Sequence, residues 1–151
     1  MGPNKLRPVS VKIAAHVHAT EDENKVIKAI RNILPPDVKL EISREVISGH
    51  YGNRIIRLEI KISNKKDVER IFEWILSRIS GFLYPNWIAE RFDTSNKSLY
   101  LRLDKQAAYM GEIKLGWGDD IVHLVFKFPG YLHFSPEDLE QEVKSFREKS
   151  D

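Results

Sequence analysis

The chain predicts an α+β fold, a two-layer sandwich with a mainly antiparallel sheet and helices on one face. Three observations predict it. Segments with an apolar residue at every second position are interleaved with segments whose apolar residues recur every three or four. Two of the alternating segments are joined by a short glycine-bearing connection. Two helical segments each carry a single apolar stripe, which the simplest packing buries against one side of a sheet, leaving the other side at least partly to water.

From Val9 to Ala19 the odd positions are apolar, while Ser10, Lys12, His16, His18 and Thr20 fall on the other parity, the mark of a strand with one buried face. Thr20 and Glu23 then have the spacing of a capping box, so a helix is expected from there. Its stripe of Val26, Ile27, Ile30, Ile33 and Leu34 runs to Pro35 and Pro36, which cannot continue the backbone ladder. Val38, Leu40 and Ile42 alternate in an expected second strand, and Ile56, Leu58, Ile60 and Ile62 in a third. The two form a hairpin around Ser48-Gly49-His50-Tyr51-Gly52-Asn53, whose glycines and asparagine tolerate positive φ. Asn64 or Ser63 caps a second helix with Val68, Ile71, Phe72, Ile75, Leu76 and Ile79 as its stripe and Gly81 as its stop.

Phe82 to Phe92 predicts a short helix with Pro85 in its first turn. Thr94 to Lys97 is a turn, and Leu99, Leu101 and Leu103 alternate in a fourth strand, followed by a helical turn over Asp104–Tyr109. Glu112–Trp117 and Ile121–Phe128 predict two more strands. Ser135-Pro136-Glu137-Asp138 reads as cap, first-turn proline and acidic first turn of a last helix.

With 151 residues and 42% hydrophobic content the chain supports one core, hence one domain over 1–151. No apolar run approaches the roughly 20 residues of a membrane span, and Met1 to Pro8 lacks the apolar centre of a secretory signal. A cysteine-free chain has no disulfide or thiolate metal site, which fits a reducing compartment, so the expected location is cytoplasmic, with no membrane partner. The 24 Lys and Arg nearly balance 22 Asp and Glu. Any surface for a polyanion must therefore come from segregation of charge rather than from bulk excess.

Segregation is what the alternation predicts. Opposite the apolar residues lie Lys12, His16, His18, Arg57, Lys61, Tyr100, Arg102, His123 and Lys127, with Glu59 the main acidic exception. Cations neutralise phosphates, and tyrosine or imidazole planes stack on unpaired bases. His50, Tyr51, Asn53 and Arg54 occupy the hairpin loop and its flank, and Lys105 and Gln106 could grip a phosphate or a 2′-hydroxyl. These are the candidate RNA-binding residues. The competing readings are that a solvated sheet face is polar because solubility requires it, that Tyr51 folds back over the sheet, and that Asp104 merely caps the following turn.

His16 and His18 point the same way on a strand, but with no cysteine and no obvious carboxylate partner the sequence assigns no metal and no cofactor. No paired acidic ligands, no phosphate-binding glycine loop and no nucleophile elbow are seen, so no catalytic residue is assigned.

The strings His16–Glu23 with Val26, Gly49-His50-Tyr51-Gly52-Asn53, and Leu101–Tyr109 together resemble an archaeal family described as exosome subunits or RNA-binding proteins. That resemblance implies a fold like that of the large-subunit ribosomal protein that binds 5S RNA, a cytoplasmic location, and a role in RNA processing, degradation or ribosome formation. Two positions depart from the family pattern: Tyr51 stands where the family has a second histidine, and Arg54 where it has a proline. The expectation is a non-catalytic binder of single-stranded or irregular RNA, working beside an RNA-processing complex. Two alternatives stand: a nuclease or phosphate-ester hydrolase using His16, His18 or His50, and an adaptor that docks a partner through Trp117, Tyr131, Phe134 and the last helix.

Overall fold

Alternation builds the sheet, and in the computed structural model, which describes residues 5–48 and 53–149, its centre is β1 (Ser10–Val17). This strand pairs antiparallel with β3 (Arg54–Ile62) on one side and β6 (Ile121–Lys127) on the other. Outside them lie β2 (Ser43–Ser48), paired with β3, and β5 (Ser98–Asp104), paired with β6; a two-residue β4 (Phe92–Asp93) borders β5. The sheet has six strands in the order β2-β3-β1-β6-β5-β4, with every one of these pairs antiparallel.

The expected helical stripes become α1 (Glu23–Asn32) and α2 (Lys65–Arg78), with a short α3 (Lys105–Tyr109) after β5 and α4 (Pro136–Lys149) last. Val26 and Ile30 of α1, Ile71, Phe72 and Ile75 of α2, and Leu139 and Val143 of α4 share one core with Ile13, Leu58, Ile60, Leu101, Leu124 and Phe126 of the strands. Phe72 lies at its centre, edge-on to Phe126 at 5.2 Å and to Phe128 at 5.8 Å. Burying one such side chain contributes about 1.5–3 kcal/mol, so a one-residue slip of any central strand would expose a whole row of them. Register and face are thus fixed together. All these helices lie on the same side, as the pattern predicts.

Several ends obey local chemistry. Asn64 accepts from the Asp67 amide, Asp104 from the Ala107 amide, and Ser135 and Asp138 cap each other reciprocally. The expected box at Thr20 is replaced by Asp22, whose carboxylate accepts from the Asn24 amide at 2.9 Å; Glu23 instead holds Arg44 of β2.

Three other expectations are corrected. Val38 to Ile42 is not a strand: the Arg31 guanidinium takes the carbonyls of Pro35 and Val38, at 2.5 and 2.6 Å, and pairing begins at Ser43. The Phe82–Phe92 helix reduces to a 3-10 turn at Ala89–Arg91, preceded by Asn86 at φ 67 and fastened by Glu140 of α4 to the amides of Ile88 and Ala89. Glu112 to Trp117 forms no regular strand but two isolated bridges, Ser80 with Lys114 and Leu103 with Leu115. No helix among the described residues is long and apolar enough to cross a membrane.

Candidate nucleic-acid interface

Strand register turns the polar parity into a map of the open face. Across its middle run Glu59, Ala14, His123 and Arg102 on four consecutive strands. One step toward one end the row is Lys61, Lys12, Val125 and Tyr100, and beyond it Ser10 and Ser98 flank Lys127. One step the other way, Arg57 stands between Glu45 and His16. Eight of the expected residues thus share one surface: Lys12, His16, Arg57, Lys61, Tyr100, Arg102, His123 and Lys127. The helices cover the opposite side.

The two ends of this face differ. Lys61, largely exposed and 3.6 Å from Glu59, and the exposed Lys127 are point charges on long flexible stems. At the other end the cations are held. Arg57 donates to Glu59 Oε2 from Nη2 at 2.9 Å and from Nε at 3.3 Å, and its Nη1 lies 3.5 Å from His16 Nε2. Arg102 donates to the Gly118 carbonyl. Tyr100 stacks on His123, ring planes 15° apart and centroids 6.2 Å apart. Ala14 is the low point, buried although it points to the open side, because its methyl cannot rise between its neighbours. The result is a cleft of about 260 Å³ lined by Ala14, His16, Arg57, Arg102, Asp119 and His123 among others.

Both imidazoles are pushed below their usual range. For His16 burial is the larger cause and the nearby Arg57 charge the next; for His123 burial again comes first, then Arg102. Glu59 moves the same way for a different reason, since the Arg57 hydrogen bond stabilises its carboxylate. At neutral pH the site therefore holds two neutral imidazoles, the guanidinium groups of Arg57 and Arg102 and the Glu59 carboxylate paired with Arg57, with Asp119 as a second acidic side chain on the cleft wall.

Gly118 and Asp119 form the cleft's far wall, on a loop of residues 116–120 that crosses β5 on the open side. The loop is pinned along its length. The Gly116 amide donates to the Arg102 carbonyl at 2.8 Å, the Gly118 carbonyl takes Arg102, and the Asp120 carbonyl takes the Lys105 amide at 3.1 Å. At Gly116 the approach to β5 is so close that a Cβ would lie 2.7 Å from the Asp104 nitrogen. Trp117 is 74% exposed on this loop.

The remaining expected residues lie elsewhere. Lys105 is buried, its ammonium bound to the His16 carbonyl at 2.9 Å, Glu21 at 2.8 Å and Asp120 at 3.3 Å. It is a strut rather than a free cation. Gln106 is exposed and donates to Asp120 at 3.1 Å, so it helps anchor the same loop. His18 lies past the end of β1 in a turn closed by Glu21, outside the strand pairing that places His16. Arg54 falls on the parity of Ile56 and Leu58, toward the helical side, and Asn53 is exposed beside it. His50 and Tyr51 lie outside the described residues. Phe134 packs on Phe92 and Phe128, completing the core, whereas Trp117 and Tyr131 stand exposed at opposite ends of β6 and form no common docking patch.

Sequence reasoning places Gly116 to Asp120 between two strands and Trp117 in a docking surface, and misses that this loop crosses the open face with Asp119 in the cleft. A signal was present, since an aromatic bracketed by glycines in Gly116-Trp117-Gly118-Asp119-Asp120 is not a core pattern.

A family described as RNA binding matches residues 10–128, the stretch that holds the whole sheet. The chain is 35% identical over 141 residues to an uncharacterized protein of Methanocaldococcus jannaschii, covering 89% of this chain and 92% of that one. It is 30% identical over 151 residues to a protein of Pyrococcus abyssi named RNA-binding protein, covering 95% and 94%. Its fold matches a crystal structure of a DUF54 protein from Archaeoglobus fulgidus with a TM-score of 0.73 and 26% identity, over 93% of this chain and 99% of that one. The chain belongs to this RNA-binding family.

Proposed function

We propose that the chain is a non-catalytic binder of single-stranded or irregular RNA, that the open sheet face is its binding surface, and that it acts in RNA processing, exosome-linked degradation or ribosome formation. The observation that carries this reading is the gathering of Arg57, Arg102, His16 and His123 around one cleft, with Lys12, Lys61 and Lys127 continuing the same face. The guanidinium and ammonium groups supply phosphate neutralisation, and the stacked Tyr100 and His123 offer planar surfaces. Among the described residues no three His, Asp or Glu side chains gather to hold a metal ion.

Filter-binding titrations at rising salt test the surface. Each phosphate neutralised on a single strand contributes about 0.7 to the slope of log affinity against log salt. Arg57→Glu with Arg102→Glu should weaken binding at least about tenfold, the effect of roughly 1.4 kcal/mol, and flatten that slope. Unchanged affinity in this variant would remove the face from consideration. Labelled RNA incubated with the pure protein and divalent metal should stay intact.

A further inference from the structure

We infer that the cleft beneath residues 116–120 is a subsite for one unpaired nucleotide, with its base stacked on Trp117 and its phosphate held by Arg57 and Arg102; this rests on the open face being the RNA surface. An indole that is 74% exposed has no packing role in the chain itself. Its backbone is nonetheless held in place: the Gly116 amide bond to Arg102, the Gly118 carbonyl bond from Arg102, and the Lys105 and Gln106 bonds to Asp120 fix the loop on both sides of it, with Trp117 next in sequence to Gly118 of the cleft wall. An aromatic carried on a fixed backbone costs less ordering on stacking than one on a loose loop, and every base offers it a ring face.

Size and charge select the occupant. The cleft, about 260 Å³, falls below the roughly 300–1,000 Å³ of drug-sized sites, which suits the phosphate and ribose of one nucleotide and leaves no room for a base pair. Guanidinium groups of Arg57 and Arg102 enter from β3 and β5, and Ala14 keeps the floor low. Asp119 faces the same space from the loop. Its carboxylate repels phosphate, driving it toward the arginines, and offers an acceptor to a ribose hydroxyl. A duplex keeps its bases stacked on each other, so it would meet only the rim of this cleft.

The test compares wild type, Trp117→Ala and Trp117→Phe in filter-binding and tryptophan-fluorescence titrations. The probes are an unpaired mixed-sequence RNA decamer and the same decamer annealed to its complement. The exposed indole makes both variants safe for folding, and circular dichroism checks this. Trp117→Ala should lose about 5- to 150-fold in affinity for the unpaired strand and change little for the duplex, Trp117→Phe should retain most of it, and wild-type fluorescence should be quenched by the unpaired strand. Wild-type affinity in Trp117→Ala, alongside lost binding in Arg57→Glu/Arg102→Glu, would overturn the subsite and leave the face intact. Equal losses for strand and duplex would also overturn it. No binding of either RNA by wild type would end both claims.

Discussion

The Arg57 guanidinium lies against the His16 imidazole, Nη1 to Nε2 at 3.5 Å, while Glu59 holds its other nitrogens. A cation so placed, added to burial, keeps His16 deprotonated, and His123 is held neutral in the same way by burial and Arg102. Bound phosphate would reverse the balance, because an anion beside an imidazole favours its charged form.

RNA binding should therefore take up protons. As pH falls from 7.5 toward 5.5, affinity for RNA should rise, and His16→Ala/His123→Ala should lose that rise. Stability runs the other way: both groups have folded-state values below the ordinary 6.5, so the unfolded chain binds more protons. Their contribution is present above that value and is lost as pH falls through the lower folded-state values. Urea titrations across the same range check the second sign, and filter binding the first.

Glu59 is the acid in the middle of the basic face, 2.9 Å from Arg57 and 3.6 Å from Lys61. Removing its charge frees both cations for phosphate. Glu59→Gln should tighten RNA binding about fivefold, the effect of about 1 kcal/mol for one charge at contact distance in high dielectric, and should steepen the salt slope. Weaker binding by this variant would mean that Glu59 orders Arg57 more than it competes for it.

Lys105 separates a structural lysine from an RNA-contacting one. Breaking a fully buried ion pair from one side costs about 3–5 kcal/mol, and because Asp120 is half exposed, Lys105→Ala should cost about 2–3 kcal/mol in a denaturant titration. Its RNA affinity, measured where the variant is folded, should fall only through loosening of the loop at Asp120. A loss as large as that of the double arginine reversal would restore Lys105 as a contact.

Gly116→Ala tests the seat of the crossing loop. The added methyl would meet the backbone nitrogen and Cα of Asp104 at 2.7 and 2.8 Å, and backbone cannot step aside as a side chain can. An overpacking cost of about 1–3 kcal/mol is expected, seen as a lowered melting temperature. Full stability would show that the loop is not tightly seated.

Much of this architecture was legible because period and burial coincide. Val11, Ile13, Ala15 and Val17 read as one buried face, and the same parity rule placed Lys12, His16, Arg57, Tyr100, Arg102 and His123 together on the other. What failed depended on partners distant in sequence. Val38, Leu40 and Ile42 alternate as a strand would, yet Arg31 occupies their neighbouring carbonyls, and the hairpin register with β3 starts pairing at Ser43. The turn at Ala89 is fastened by Glu140, some 51 residues away, which no local pattern reveals. Lys105 looks like any exposed lysine until Glu21 and Asp120 are brought to it by the fold. From sequence Trp117 ends an expected strand and offers a docking residue, because the path of residues 116–120 over the open side of β5 is a tertiary fact.

The most direct measurement is a nuclear magnetic resonance titration of isotope-labelled protein with an unpaired RNA. Shifts should concentrate on Arg57, His16, His123, Arg102 and the 116–120 loop, with α2 and α4 unmoved. Shifts confined to the helical layer, with the open face silent at saturation, would contradict that face as the RNA surface.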